Sequence, residues 1–174
     1  MKKSVLIVGM SGVGKTSVSK KLTEMGYKAY DLDSELGLCT MVYKGTETPV
    51  VDHDNADLEK VKNIDWIYDK AKLIALITNE PSEIAFYCGS ATNTDELLPL
   101  FDKVVLLTVE PDAVRHRLTT RSENDFGKTK EVQDWLLESK EEGEMELEAK
   151  GAIVINANKD LEAVAKEIVE KVQS

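Results

Sequence analysis

Arginine is missing from this chain until residue 115, and its three arginines stand against nineteen lysines. Basic charge is short overall: 22 Lys and Arg face 32 Asp and Glu, a formal net charge of −10. A nucleic-acid backbone demands clustered Lys and Arg, so wrapping one is excluded. An anionic membrane surface is disfavoured for the same reason. Long apolar runs are absent too; none approaches the ~20 residues of a membrane-spanning helix. The opening "MKKSVLIV" passes within a few residues into a glycine-rich loop, so a strand is expected there and not a signal peptide. Cys39 and Cys88 have no metal-ligand spacing and fit reduced thiols in a cytoplasmic protein. His53 and His116 stand apart from any triad or metal cluster. With 42% apolar and 31% charged residues, the 174-residue chain is of ordinary globular composition and long enough for one core. A monomer or a homodimer is expected.

What is present is concentrated in a few stretches. Residues 9–16 read "GMSGVGKT", the spacing G-x-x-x-x-G-K-T. Between a strand and a helix this pattern is a phosphate cradle. Gly9, Gly12 and Gly14 tolerate backbone angles that a Cβ would block. With Ser11 and Val13 between them, successive N–H groups can turn toward an anion. Lys15 can reach terminal phosphates, Thr16 offers a hydroxyl to Mg²⁺, and Ser17 continues the helical turn whose N-terminus favours the anion. Both flanks agree: Val5–Val8 is a short β-branched-rich run, and Val18, Leu22 and Met25 recur at helical spacing before Gly26.

Further short strands are expected at Lys28–Asp33, Glu83–Cys88, Lys103–Val109 and Ala152–Ala157. Helical patterns separate them at about 57–78, 111–121 and 130–148, and a last one ends the chain. Alternation of strands and helices predicts an α/β fold with a mostly parallel sheet covered on both faces, in one domain over 1–174. Ligands of such sheets gather at the C-terminal ends of the strands.

That rule selects three more stretches. In "DLD", Asp31 and Asp33 lie two apart at a strand end, so both carboxylates point to one side. One can hold the hydration shell of Mg²⁺ and the other accept a hydroxyl proton; the alternative is that Asp33-Ser34 caps a helical turn. In "RHRLTTRSENDFGK", Arg115, Arg117 and Arg121 lead into a polar loop ending at Lys128, which reads as a lid over a nucleotide. In "NANKD", Asn156 and Asn158 can offer groups to a base edge; the Asp falls one place early for the N-K-x-D guanine reader of GTPases.

Together these stretches resemble the small P-loop kinases of the nucleoside monophosphate kinase and shikimate kinase superfamily. The resemblance implies a five-stranded parallel sheet of order 2-3-1-4-5, an acceptor-binding insert at about 37–80 and a lid at about 115–130. It implies ATP and Mg²⁺, with Lys15 on phosphate, Thr16 and Asp31 at the metal, and Asp33 as base on the acceptor. It implies Arg121 stacked on adenine and Lys128 as a lid cation, with Arg117 among the charge-neutralising groups. The chain departs from both families at the acceptor, which they hold by arginines. Here no arginine precedes Arg115, and lysines such as Lys44 lack the planar fork. Neither family's acceptor therefore carries over directly; a nucleoside, nucleotide or other hydroxyl metabolite is expected, and a neutral one such as a nucleoside becomes more attractive. The alternative is a nucleotide-binding regulator or slow ATPase with no acceptor, for which Glu110 is the further edge carboxylate.

Overall fold

Alternation along the first strand decides the layers. In β1 (Lys3–Val8), Val5 and Ile7 belong to one apolar core and Leu6 and Val8 to another, and all four are buried. A strand apolar on both sides needs cover on both. The computed structural model, which describes residues 2–174, supplies it. In chain order the elements after β1 are α1 (Lys15–Glu24), β2 (Lys28–Asp31), β3 (Cys39–Tyr43), α2 (Leu58–Lys62), β4 (Ile64–Tyr68), α3 (Lys70–Asn79) and β5 (Ile84–Cys88). There follow α4 (Thr94–Leu97) with a 3₁₀ turn at Leu98–Leu100, β6 (Lys103–Thr108), α5 (Pro111–Thr120), α6 (Lys130–Glu138), α7 (Lys140–Ala149), β7 (Ile153–Asn156) and α8 (Leu161–Gln173).

Five parallel strands form the main sheet in the order β2-β5-β1-β6-β7. Counting the strands of that sheet alone, this reads 2-3-1-4-5. One core packs Val18 and Leu22 of α1, Val114 and Leu118 of α5, and Val164, Ile168 and Val172 of α8 against the Val5 side. The other packs Leu73 of α3 and Leu97 of α4 against Leu6, Val8, Tyr87 and Leu106. Register brings the strand ends together: Ile7 and Asp31 both pair with Cys88, Val8 with Leu106, and Thr108 with Asn156. The exits of all five strands thus share one edge.

The segment expected as one helix over 57–78 is three elements. Asp57 caps α2 by accepting from the N–H groups of Glu59 and Lys60, and Asp69 caps α3 by accepting from that of Lys72. Between them Ile64–Tyr68, rich in β-branched and aromatic residues, pairs antiparallel with Cys39–Tyr43 in a separate two-stranded sheet. Leu58, Val61 and Leu73 do recur near helical spacing, but α2 ends at Asn63, the strand follows, and Asp69 caps a new helix. The helix expected over 130–148 likewise breaks, at Ser139; Gly143 lies within α7 and does not break it.

Candidate active site

The loop between β1 and α1 needs its glycines. A Cβ on Gly9 would lie 2.7 Å from the Leu107 carbonyl oxygen and 2.8 Å from Val13 Cγ2. Gly14 heads α1 in the left-handed region at φ 108°, where its missing side chain costs nothing. The N–H groups of the first turn of α1 have no intrahelical partner and are free for an anion. Val13 itself is buried, while Thr16 and Ser17 are exposed on that first turn. Lys15 folds over the loop, its ammonium donating to Gly9 O (2.6 Å) and Met10 O (3.2 Å). Burial pulls its pKa down, and the Asp33, Cys88 and Asp31 side chains oppose that fall. Just past β5, Ser90 clasps the loop from the other side: its hydroxyl donates to Gly9 O (3.0 Å) and accepts from Gly9 N (3.2 Å).

Two of the arginines, Arg117 and Arg121, lie against this loop. Arg117, on α5, donates from Nη1 to Val13 O and from Nη2 to Ala157 O, both at 2.9 Å. It therefore ties the phosphate loop to the segment after β7, where a base reader is expected. Arg121, just past α5, donates to Ser11 Oγ (3.3 Å) and to Phe126 O, and its Nε is buried without a partner. Burial lowers its pKa against the opposing pull of Asp125. Arg115 points elsewhere, to Asp134 on α6 at 2.7 Å. Asn156 closes β7 and accepts from the Asn158 backbone N–H (2.8 Å). Both asparagines line an open cavity of about 250 Å³ with Glu110 and with Lys140 and Glu144 of α7, facing away from the core that holds Ala157. Lys128 is exposed.

Asp31 ends β2 half-buried, and no side-chain hydrogen bond engages its carboxylate among the described residues. Asp33 is different. Its Oδ1 accepts from Tyr68 OH (2.6 Å) and from Trp66 Nε1 (3.0 Å), both on β4. It is not a helix cap. Burial, and then Asp33, push the Tyr68 phenol far above its ordinary value, so it stays a donor. Gly89 makes room for this contact: a Cβ there would overlap Tyr68 OH and lie 2.9 Å from Leu32 Cβ. Trp66 and Tyr68 escape a reading of the sequence because they sit in the hairpin mistaken for helix.

The expected lid is partly rigid. Arg115–Thr120 belongs to α5, with Leu118 in the core, which leaves 121–129 as the connecting loop. Gln133, polar and almost fully buried, anchors that loop, donating from Nε2 to Thr119 Oγ1 (3.1 Å), Gly127 O (2.9 Å) and Lys128 O (3.4 Å). Asn55, from the insert after β3, donates to Asp125 of the loop.

A phosphate loop opening from the central strand of a parallel sheet, with carboxylates at the end of the edge strand and the arginines Arg117 and Arg121 against the loop, defines a P-loop nucleotide-binding domain. The AAA domain family matches residues 5–145, and the chain belongs to that family. No curated protein matches the chain. Among solved structures, it is similar to a shikimate kinase from Acinetobacter baumannii in complex with shikimate, at 17% identity over 99% of this chain and 94% of that one, with a TM-score of 0.64. A deoxyadenosine kinase from M. mycoides with bound dATP is similar at 16% identity over 98% and 100% of the two chains, TM-score 0.62. A gluconokinase from Sinorhizobium meliloti 1021 is similar at 16% identity over 98% and 91%, TM-score 0.56. At such identities the likeness is one of fold, and that fold is the small P-loop kinase fold.

Proposed function

We propose that the protein transfers the γ-phosphoryl group of ATP, with Mg²⁺, to a hydroxyl of a small-molecule acceptor. The observation that carries this reading is the placement of Asp33. It lies at the same sheet edge as the phosphate loop, is the strongest of the charges that offset the burial of Lys15, and keeps Oδ2 clear of hydrogen bonds among the described residues. In the proposed step the acceptor oxygen attacks the γ-phosphorus, the bond to the ADP oxygen breaks, and the hydroxyl proton passes to Asp33 Oδ2. Gly9–Ser17 would hold the phosphates by backbone N–H groups and Lys15 would neutralise charge developing on them. Arg121, beside Ser11 with Nε unpartnered, would face phosphate rather than stack on adenine, and Arg117, bound to Ala157 O, would underlie the base. Asn156 and Asn158 remain candidates for the base edge and Lys128 for a closing cation.

Mg²⁺ takes few protein carboxylates and keeps waters and phosphate oxygens as ligands. An Asp31 carboxylate without a side-chain hydrogen bond among the described residues and an exposed Thr16 hydroxyl, both at the C-terminal edge of the sheet, fit that demand, and among the described residues no group of three or more His, Cys, Asp or Glu side chains could hold a metal. When bound, the ion would draw charge from the phosphate oxygens. Calorimetry with ATP and ADP tests the nucleotide half; no binding at millimolar nucleotide would end the proposal. Transfer from labelled ATP, screened over nucleosides, nucleotides, sugars and hydroxy acids, tests the rest. Deoxyadenosine, shikimate and gluconate come first, because the similar folds carry those names. ATP binding without stimulation by any acceptor would leave the regulator or slow-ATPase reading in its place.

A further inference from the structure

The contacts around Asp33 do not stop at Trp66 and Tyr68. The backbone of Trp66 is held on both sides by one residue: its N–H donates to Thr92 Oγ1 (3.1 Å), and its carbonyl accepts from Thr92 N (2.7 Å). Asn93 does the same for Tyr68, accepting from Tyr68 N at Oδ1 (3.1 Å) and donating from Nδ2 to Tyr68 O (2.9 Å). Thr92 and Asn93 follow Gly89 and Ser90, and Ser90 is the residue that clasps Gly9. Hydrogen bonds joined by the short backbone segment Ser90–Asn93 thus connect the phosphate loop, through Ser90, Thr92 and Asn93, to Trp66 and Tyr68, and end on one oxygen of Asp33. Gly89 is the slot through which the Tyr68 hydroxyl reaches it.

We propose that Trp66 and Tyr68 are positioning residues that commit Asp33 Oδ1 and leave Oδ2 as the single oxygen presented to the acceptor, at a spacing from the phosphate loop set by Gly89–Asn93. This rests on the kinase reading above. The physical reason is orientational. An exposed aspartate on a turn samples several rotamers. Two donors of fixed direction, one on a buried phenol and one on an indole, select one of them. A base displaced by about 1 Å can lose on the order of 100-fold in rate. The clamp also makes Asp33→Asn unusually clean. An amide still offers one oxygen to both donors, so it turns its NH₂ outward to where Oδ2 was.

The test has two arms, both on the full chain. In the first, the indole N–H resonance of Trp66 is followed by ¹H–¹⁵N NMR with no acceptor present. Trp66→Phe assigns it and Trp135 serves as internal reference. The resonance is expected to move upfield in Asp33→Ala, to stay in place in Asp33→Asn, and to shift in Tyr68→Phe as the shared oxygen loses its second donor. In the second arm, transfer from MgATP to the acceptor found by the screen is measured. Tyr68→Phe is expected to lower kcat on the order of 10–100-fold with an unchanged KM for MgATP. An indole signal indifferent to Asp33→Ala, or a Tyr68→Phe enzyme with native kcat, overturns the clamp. If every acceptor fails with the native protein, the kinase reading falls by itself, and the clamp is then judged on the indole signal alone.

Discussion

Asp31 and Asp33 stand two residues apart, yet their surroundings divide them. The first carboxylate is free and half-buried at the strand end; the second is held by two donors from the hairpin. Asp33→Asn is therefore expected to lose phosphoryl transfer by about 10²–10⁴-fold, the usual scale of a lost general base, while calorimetry shows unchanged ATP affinity. Asp31→Asn should instead raise the Mg²⁺ concentration needed for half-maximal transfer. Identical behaviour of the two variants would refute this division. Gly89 is tested by Gly89→Ala. The added methyl must displace the Tyr68 hydroxyl or Leu32, so transfer falls while ATP binding persists. A Gly89→Ala protein with native turnover would show that the slot is not needed.

The element most exposed to change is the loop 121–129. It has little apolar surface of its own, and its attachment to the domain runs largely through the Gln133 carboxamide and the Arg121 guanidinium. Amide exchange over 121–128 is expected to be faster than over β1 and to slow when MgATP binds, because ligand contacts add to a segment of few packed side chains. Gln133→Leu keeps the volume but leaves the Gly127 carbonyl without its partner, a loss of roughly 1–3 kcal/mol when such a group is buried. Exchange over 121–128 should then rise while β1 and α8 are unaffected. Equal protection of this loop with and without nucleotide would count against its closing at all.

At the scale of the whole molecule, Glu80 joins parts distant in sequence. It ends α3, is almost fully buried, accepts from Tyr30 OH of β2 and from Ser82 N (2.8 Å), and its backbone oxygen accepts from Lys2 (2.8 Å). Burial disfavours its charge, but the hydrogen bonds from Tyr30 and Ser82 outweigh burial and hold its pKa below the ordinary 4.5. A carboxylate with a depressed folded pKa binds fewer protons than in the unfolded chain. The stability it supplies is therefore complete above about pH 4.5 and is lost as pH falls through the folded value. Urea midpoints measured from pH 6 down to 3 should fall less steeply in Glu80→Gln than in the native chain. Parallel curves would mean that Glu80 does not contribute.

Much of this architecture was legible before any coordinates. The loop at residues 9–16 and the five strands of the main sheet follow from spacing and β-branched runs, which are properties of neighbours in sequence, whereas the order of those strands was implied only by the resemblance to small P-loop kinases. The hairpin of β3 and β4 was not legible, because Leu58, Val61 and Leu73 imitate a helical stripe and only pairing with Cys39–Tyr43, more than twenty residues away, makes Ile64–Tyr68 a strand. Nor could spacing say which arginine meets which group. Arg117 and Arg121 are one helical turn apart, and the rotation of α5 on the sheet, set by Val114 and Leu118 in the core, sends one to Ala157 and the other to Ser11. The partners of Asp33 belong to the same class: they lie 33 and 35 residues along the chain, and a hydrogen bond across that separation exists only once the sheet has placed both ends. Local chemistry determined that phosphate has a place in this protein; packing between distant segments decided which side chains surround that place.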